Sequence, residues 1–377
     1  MSRVLAAMSG GVDSGVAAAL LAEAGHDVTG VTLKLWCYGK SPASPRACCT
    51  LDAIADARSV AQRMGFPHFV VEAEDVFRAR VLQPFLDAYA EGRTPYPCAA
   101  CNQHLKFGDL VTRMDETGAE LLATGHYARI GRAADGAPSL RRAVDLSKDQ
   151  SYALALIPFA VLSRVRFPLG ELRKSEVRGH GRRLGLPLWD KPESMDLCFV
   201  PDGDYAGYAT RVLGETRGTQ SGPIEDERGR VIGEHRGILH YTVGQRKGLG
   251  VTAGEPLFVL SIDAARNALR VGPRGSLGSR GLVTGAVNWL QSAPPAPGAR
   301  ALVKVRSAHA GAWACVEPLA DGAVRVHFDE PQDAITPGQL CVMYDGDRVM
   351  GGGAIARAIE SGDSNRALLE AAEAARS

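Results

Sequence analysis

A short apolar run, RVLAAM at residues 3–8, leads through two glycines into an alanine- and leucine-rich run, VAAALLAEAG at residues 16–25. The first run predicts a strand. The second predicts a helix that ends at Gly25, because glycine readily adopts the left-handed conformation found after helices. A glycine turn that joins a strand directly to a helix is typical of a parallel α/β sheet, in which ligands bind at the carboxyl ends of the strands.

Strand and helix patterns continue to alternate after this turn. Further strands are predicted at DVTGVTLKL (27–35), HFVVEA (68–73) and ELLATGHYARI (120–130), and helices at 52–65 and 75–92. Pro84 lies inside the second of these helices, where it is expected to cause a kink. The alternation predicts an α/β fold with a doubly wound parallel sheet.

A chain of 377 residues is too long for one compact core and suits two or three domains. From about Gly203 short runs punctuated by glycine replace the alternation, and after about Ser279 the runs become shorter and strand-like. We expect an α/β catalytic domain over 1–200, a small α+β connector over 201–282, a β-barrel-like domain over 283–360 and a mobile tail over 361–377.

The charge balance excludes a strongly basic protein, because the formal net charge is only +1. A nucleic-acid partner would therefore need a local basic patch, and Arg164–Arg183 is the best candidate. A solvated helix face remains the alternative for that segment. The sequence contains neither a long uncharged apolar run nor a signal-peptide pattern at its start, so we expect a cytoplasmic protein.

The turn itself, SGGVDS at residues 9–14, has the composition of an anion-binding loop. Backbone N–H groups at a helix N-terminus favour an anion, and Gly10 and Gly11 would let the backbone approach it closely. The turn does not match the phosphate loop G-x-x-x-x-G-K-[ST], and it carries Asp13 in place of a lysine. A carboxylate beside phosphates needs a cation between them, which indicates Mg²⁺ on the triphosphate. A tight turn with a capping serine is the structural alternative.

Three of the 8 cysteines lie in loops where they could react. Cys98 and Cys101 form a C-x-x-C pair after a proline-rich stretch, and Cys198 lies far downstream. Loop thiols near a cation or a helix N-terminus ionise readily and act as nucleophiles, which indicates sulfur chemistry. A zinc site with His104 as fourth ligand is a weaker alternative. Cys48 and Cys49 are expected to be ordinary loop or helix-start cysteines, with sulfur relay by one of them as the alternative. Cys37, Cys315 and Cys341 are expected to be packing residues.

These motifs carry a family resemblance. SGGVDS resembles the pyrophosphate loop (PP-loop) of the ATP pyrophosphatase superfamily. The stretches GRTPYPCAACNQHLKF, ATGHYARI, KDQSYAL, PESMDLCFVPD, GILHYTVGQRKGLG and ITPGQLCVMYDGDRVMGGGAI are similar to those of bacterial tRNA-specific 2-thiouridylases. The resemblance implies a PP-loop ATPase domain that adenylates the 2-oxygen of the wobble uridine and then replaces it with sulfur. It also implies ATP, Mg²⁺ and tRNA as ligands, and a sulfur-relay protein or cysteine desulfurase as partner.

The resemblance also implies roles for individual residues. Cys101 would be the nucleophile, Cys198 would carry a persulfide, and the two would form a transient disulfide, while Asp13 would serve the Mg²⁺–pyrophosphate. The implied ATP-binding residues are Ala7, Met8, Ser9, Gly10, Gly11, Val12, Asp13, Ser14, Leu33 and Gly125. The implied tRNA-binding residues are His126, Lys148, Asp149, Gln150, Arg306, Ser307 and Gln339.

This chain departs from the family pattern at several positions. Leu33 replaces a methionine, Ser307 replaces an aromatic residue, and Tyr96-Pro97-Cys98 replaces Asn-Pro-Asp. The last change places three thiols, Cys98, Cys101 and Cys198, around one predicted site. Three thiolates would suit a 4Fe–4S cluster with one open iron, whereas a persulfide on Cys198 needs no metal, and both routes stay open.

Two other functions explain part of the sequence. Another adenylating ligase of the ATP pyrophosphatase type would use SGGVDS and Asp13 but leave the loop cysteines without a role. A non-enzymatic RNA- or metal-binding module would use the cysteines and the C-terminal strands but not the loop. Thiolation of tRNA is the prediction that uses all of these features.

Overall fold

A computed structural model describes residues 1–35, 51–191, 197–200, 203–214 and 216–359, without the side chain of Arg217. The predictions for Cys37, Cys48, Cys49 and the tail at 361–377 lie outside these residues. The chain divides into two compact units. The first comprises Met1–Leu82, Pro97–Asp204 and Asp347–Val349, and the second comprises Gln83–Tyr96, Tyr205–Gly346 and the chain from Met350 onward.

The first unit is built on a five-stranded parallel sheet in the order β3-β2-β1-β4-β7. Its strands are β1 (Arg3–Ala7), β2 (Asp27–Lys34), β3 (His68–Glu72), β4 (Leu121–Thr124) and β7 (Val165–Arg166), and a β5–β6 hairpin (Ala128–Arg132, Pro138–Arg142) follows β4. Its helices are α1 (Val12–Glu23), α2 (Leu51–Met64), α3 (Glu74–Phe77), α5 (Pro97–Cys101), α6 (Leu110–Thr117) and α7 (Lys174–Arg183).

Apolar residues of β1 and α1 form the core beneath this sheet. Val16 and Ala19 of α1 are fully buried and pack in one cluster with Val60 of α2 and Val177 of α7. The predicted helix ends are confirmed, since Gly25 and Gly65 have φ of +83° and +77°. The parallel α/β sheet predicted from the alternation is therefore confirmed.

Two predicted elements are divided. The single strand expected at 120–130 is two strands, β4 and β5, because the chain turns at Gly125–Tyr127. The helix expected at 75–92 consists of α3, a π-helical turn at Arg78–Leu82 and α4 (Gln83–Ala90). Pro84 explains why the predicted helix is interrupted by a π turn. Proline has no N–H to donate to the carbonyl of residue 80, and the wider π turn accommodates the loss of that hydrogen bond.

The second unit contains α4, α8 (Tyr205–Leu213) and two antiparallel-rich sheets. Its strands are β8 (Gly222–Glu225), β9 (Val231–His235), β10 (Phe258–Asp263), β11 (Ala268–Gly272), β12 (Gly278–Thr284), β13 (Asn288–Trp289), β14 (Ala299–Lys304), β15 (Ala312–Pro318), β16 (Val324–Asp333), β17 (Leu340–Asp345) and β18 (Arg348–Ala358). The first four form a small sheet in the order β10-β11-β8-β9.

Six strands of the second unit close into a barrel. Their order is β12-β16-β15-β14-β17-β18, and β18 pairs again with β12. Val303, Val316 and Met343 are fully buried in its core. The predicted barrel-like fold is confirmed, whereas the expected boundaries at about residues 200 and 282 stay predictions. Within the described residues, no helix is long and apolar enough to cross a membrane.

Candidate active site

The glycine turn lies at the carboxyl end of β1 and begins α1. Ser14 Oγ accepts a hydrogen bond from the Ser9 N–H at 3.0 Å and donates one to the Gly11 carbonyl at 3.2 Å. No described side chain caps α1 at Gly11. The first-turn N–H groups of a helix favour an anion, so the turn has the geometry expected of a phosphate-binding loop.

Two glycines let neighbouring elements press against this loop. Gly10 has a φ of +69°, and a Cβ there would lie 2.2 Å from the carbonyl oxygen of Ala53 on α2. Gly125 follows β4 directly, and a Cβ on it would lie 2.6 Å from the backbone nitrogen of Ser14. Neither position can accept a larger residue without moving the loop.

Asp13 is held by two side chains from other parts of the first unit. Its Oδ1 accepts a hydrogen bond from Tyr127 Oη at 2.9 Å and one from Lys174 Nζ at 2.6 Å. The ammonium also lies 5.7 Å from the centroid of the Tyr127 ring. About a third of the Asp13 side chain (34%) stays exposed, whereas Lys174 is mostly covered (13%). A partly exposed aspartate fits Mg²⁺, which binds through one or two carboxylates together with substrate phosphates.

The strand beside β1 completes this edge of the sheet. The Met8 N–H donates to the Val31 carbonyl at 2.7 Å, and Thr32 Oγ1 donates to the Met8 carbonyl at 2.8 Å. Leu33, one residue further along β2, is half-buried. The structure thus brings the predicted ATP-binding residues to the carboxyl ends of β1, β2 and β4. They are Ala7, Met8, Ser9, Gly10, Gly11, Val12, Asp13, Ser14, Leu33 and Gly125.

Lys191 links the glycine turn to α2. Its Nζ donates to the Gly10 carbonyl at 3.1 Å and to Asp56 Oδ2 at 2.5 Å. Lys191 precedes residues 192–196, which lie outside the described chain, and these lead to Cys198. The lysine thus fixes the loop to α2 at a point seven positions before Cys198 in the sequence.

Cys98 and Cys101 lie on the short helix α5, one turn apart and half-buried. Residues three apart share a helix face, so the pair points to the same side. A π-helical segment, Asn102–Asp109, follows immediately, and Asn102 donates from Nδ2 to the Ala153 carbonyl at 2.9 Å. Its buried Oδ1 has no hydrogen-bond partner in the described structure.

Cys198 lies in a turn and is also half-buried. The next residue, Phe199, packs edge-on against Phe77 of α3, with ring centroids 5.7 Å apart. Helix α5 packs against the π turn that directly follows α3, Arg78–Leu82. The segment at 74–82 therefore contacts the elements that carry both Cys101 and Cys198.

The thiols of Cys98, Cys101 and Cys198 are not arranged as metal ligands in the described part of the chain. Among the described residues, no group of three or more His, Cys, Asp or Glu side chains is placed to hold a metal ion. Cys98, Cys101 and Cys198 all belong to those residues, so their thiols as placed do not fit a cluster. The 4Fe–4S site stays a prediction, and no chemical step below passes through it.

His126 links the nucleotide loop to the helix of Cys101. The centroid of its ring lies 6.0 Å from that of Phe107, which is six residues after Cys101, and 5.9 Å from that of Phe167. The Nδ1 atom is 2.6 Å from Thr124 Oγ1. Burial lowers the pKa of His126 well below its usual value, and the charge of Lys106 adds to this effect. The imidazole is therefore neutral near pH 7.

Lys148, Asp149 and Gln150 belong to the loop at residues 143–151. Lys148 is half-buried and Gln150 is exposed. Asp149, by contrast, has only 4% of its side chain exposed. It accepts hydrogen bonds from the backbone N–H groups of Ala143 and Ser151, each at 3.1 Å. This arrangement favours a structural role for the Asp149 carboxylate rather than the direct tRNA contact that the resemblance implies.

The other predicted tRNA-binding residues lie in the second unit. Arg306 and Ser307 are exposed at the end of β14, and Arg306 donates to the Asp333 carbonyl at 3.3 Å. Gln339 is half-buried and donates from Nε2 to the Thr94 carbonyl at 3.1 Å.

Several charges of the basic segment at 164–183 are paired within the protein. Arg183 binds Glu23 through two hydrogen bonds of 2.6 Å, and Arg182 lies over the Trp189 ring, 4.4 Å from its centroid. Lys174 points to Asp13. Each of these three residues thus has a partner within the protein, and phosphate binding by the segment stays a prediction beside the solvated helix face.

Tyr127, Lys174 and Lys191 are the site residues that sequence reasoning did not assign to the nucleotide loop. In the sequence Tyr127 belongs to the ATGHY motif and Lys174 to the basic segment, and neither position indicates a contact with Asp13. Tyr127 and Lys174 each follow a glycine-rich or polar turn in an α/β pattern. Because such turns meet at one edge of a parallel sheet, this is the sequence indication that the two residues lie near each other.

A parallel sheet with a phosphate-type loop at its carboxyl edge is the arrangement of a nucleotide-binding α/β domain. Three family models match the chain: the tRNA methyl transferase HUP domain over residues 2–202, the tRNA methyl transferase PRC-barrel domain over 210–273 and the aminomethyltransferase beta-barrel domain over 279–355. The chain belongs to the tRNA-specific 2-thiouridylase family.

Individual relatives support this membership over almost the full chain. The tRNA-specific 2-thiouridylase MnmA of Magnetococcus marinus is 48% identical, covering 93% of this chain and 98% of the relative. The enzyme of the same name from Azorhizobium caulinodans is 47% identical, covering 96% and 94%. A solved 4-thiouridine synthetase–RNA complex with bound ATP is a distant match, with 21% identity and a TM-score of 0.32 over 53% of this chain and 46% of that one.

Proposed function

We propose that this protein is an ATP-dependent sulfurtransferase that converts the wobble uridine of tRNA to 2-thiouridine. The observation that carries the proposal is the connection from the nucleotide loop to the cysteine helix. Gly125 packs against the Ser14 backbone, and His126 beside it contacts Phe107, which follows Cys101 in the same helical segment. Adenylation and sulfur transfer would thus take place at neighbouring positions of one unit.

The first half-reaction activates a poor leaving group. The 2-oxygen of uracil attacks the α-phosphorus of ATP, the bond to the pyrophosphate breaks, and an adenylated base forms. The N–H groups at the start of α1 would stabilise the departing pyrophosphate. Asp13 would hold Mg²⁺, which neutralises phosphate charge when bound.

The second half-reaction uses both cysteines. The terminal sulfur of a Cys198 persulfide attacks C2 of the base, and AMP leaves with the former 2-oxygen. The Cys101 thiolate then attacks Cys198 Sγ, so that the new sulfur stays on the base and a Cys101–Cys198 disulfide forms. Attack of Cys101 on the persulfide before transfer, which releases sulfide as the nucleophile, gives the same products. A thiol reductant restores both cysteines, and a sulfur-relay protein or cysteine desulfurase reloads Cys198.

The tRNA must present one base of its anticodon loop, which proteins reach by splaying the base out of its stack. Lys148, Gln150 and His126 of the first unit and Arg306, Ser307 and Gln339 of the second unit are proposed to contact it. A cytoplasmic location, where ATP and tRNA occur together, is part of the proposal.

Mass spectrometry of nucleosides tests this function. An unmodified tRNA transcript is incubated with the protein, ATP, Mg²⁺, a thiol reductant and a persulfide donor, and is then digested. We expect 2-thiouridine only when ATP and the donor are both present. Pyrophosphate release that requires ammonia or an amino acid instead of tRNA would support another adenylating ligase.

A further inference from the structure

Tyr127 connects Asp13 of the nucleotide loop with the loop at 143–151. Its hydroxyl donates to Asp13 Oδ1 at 2.9 Å. Its backbone N–H donates to Gln150 Oε1 at 2.9 Å, and its carbonyl accepts from the Gln150 N–H at 2.9 Å. The ring itself is buried, and the hydroxyl bond together with the two backbone bonds holds Tyr127 between the two loops.

Lys174 makes the same connection through different atoms. Its Nζ donates to Asp13 Oδ1 at 2.6 Å, and its backbone N–H donates to Asp145 Oδ2 at 3.1 Å. Asp145 also accepts from Ser147 Oγ at 2.6 Å. Tyr127 and Lys174 lie 47 positions apart in the numbering, yet both join the same carboxylate oxygen to the same loop.

The loop at 143–151 is held together by its own hydrogen bonds. Asp149 accepts from Ser151 Oγ at 2.9 Å and from the N–H groups of Ala143 and Ser151, each at 3.1 Å. The Val144 N–H donates to the Gly170 carbonyl at 3.0 Å. The Lys148 N–H also donates to the Asp145 carbonyl at 3.0 Å, so a shift at Asp145 would reach Lys148 through the loop's own bonds.

We propose that Tyr127 and Lys174 are positioning residues through which nucleotide at Asp13 and tRNA at the 143–151 loop strengthen each other's binding. This inference rests on the proposed function. Tyr127 and Lys174 join Asp13 to the 143–151 loop, so a first ligand that selects the bound arrangement of one loop also selects that of the other, and the second ligand meets a loop already in its bound arrangement. Such coupling is reciprocal, so each ligand raises the affinity of the other by the same factor.

The test measures a coupling factor, defined as the Kd of α,β-methylene ATP without tRNA divided by its Kd with saturating unmodified tRNA. The analogue cannot be cleaved, so binding is separated from chemistry. For the full wild-type chain we expect a factor of about 5 or more. Tyr127→Phe removes only the hydroxyl, and we expect its factor to fall below about 2. Lys174→Met, which keeps the backbone bond to Asp145, should lower the factor as well.

Tyr241→Phe is the matched control. Tyr241 is also buried, and its hydroxyl donates to the Gly248 carbonyl at 3.4 Å within the second unit. Its coupling factor should equal that of the wild type. A purely structural role would weaken both ligands in Tyr127→Phe and leave the factor unchanged, and that result overturns the inference, as does a wild-type factor of 1.

The nucleoside assay distinguishes the two proposals. If the wild type forms 2-thiouridine while Tyr127→Phe keeps the wild-type factor, the coupling is refuted and the enzyme function stands. If the wild type forms no 2-thiouridine under any condition, the proposed function fails and the inference fails with it.

Discussion

Gly125 approaches Ser14 so closely that a Cβ on Gly125 would lie 2.6 Å from the Ser14 backbone nitrogen. Gly125→Ala must therefore displace the first turn of α1, whose N–H groups are proposed to bind pyrophosphate. We expect ATP affinity to fall at least about tenfold and stability by about 1–3 kcal/mol, as for other overpacked sites. Isothermal titration and urea unfolding measure the two effects.

Gly179→Ala serves as the control for this substitution. Gly179 lies within α7, and a Cβ there meets no atom within 4 Å. Alanine should stabilise the helix by about 0.5–1 kcal/mol and leave ATP affinity unchanged. Equal ATP affinities for the Gly125 and Gly179 variants would contradict the close approach at the loop.

The cysteine variants separate activation from sulfur transfer. Cys101→Ser and Cys198→Ser should abolish 2-thiouridine, because each removes a sulfur atom that the transfer requires. Both should keep tRNA-dependent pyrophosphate release, because adenylation precedes the transfer. Loss of pyrophosphate release in a folded variant would show that these cysteines act earlier.

Cys98→Ser decides between the persulfide and the cluster. The persulfide route predicts that this variant keeps thiolation, since neither half-reaction uses Cys98. A 4Fe–4S cluster held by three thiolates predicts loss of both iron and activity. Iron, sulfide and absorption measurements on anaerobically purified wild type and Cys98→Ser give the answer.

The desolvated, half-buried imidazole of His126 makes folding stability depend on pH. Burial holds its folded-state pKa well below 6.5, so between these two pKa values the unfolded chain binds more protons. Its contribution is present above about pH 6.5 and is lost as the pH falls toward the folded-state value, with a slope of at most about 1.4 kcal/mol per pH unit. Urea unfolding at pH 5.5–7.5 should show a shallower slope for His126→Asn than for the wild type. Identical slopes would contradict a lowered pKa of His126 in the folded protein.

Lys148 and Arg183 should differ in their effect on tRNA binding. If Lys148 contacts phosphate, Lys148→Ala lowers tRNA affinity and reduces the slope of log K against log salt by about 0.7–1. Arg183→Ala should change that slope little, because Arg183 already pairs with Glu23 through two bonds of 2.6 Å. Titrations over a range of salt concentrations measure both slopes, and the reverse ranking would restore the basic segment as the phosphate-binding surface.

The local patterns of this chain predicted its sheet, its glycine loop and its barrel strands, because each depends on residues close together in sequence. Contacts between distant residues were not predictable. Tyr127 and Lys174 meet Asp13 across 114 and 161 positions, and no periodicity indicates such a pair. A run of positive charge does not show which lysine turns inward, so the charge pattern does not separate Lys174 from its exposed neighbours. The sequence does not reveal that the strand ends before Gly125, because the apolar pattern continues on both sides of this glycine.

The fate of one oxygen atom tests the central claim most directly. A tRNA whose wobble uridine carries ¹⁸O at position 2 is thiolated by the protein with unlabelled ATP, and the released AMP is weighed by mass spectrometry. Adenylation of that oxygen predicts one ¹⁸O in AMP for each 2-thiouridine formed. Unlabelled AMP alongside stoichiometric 2-thiouridine would show that ATP activates some other group.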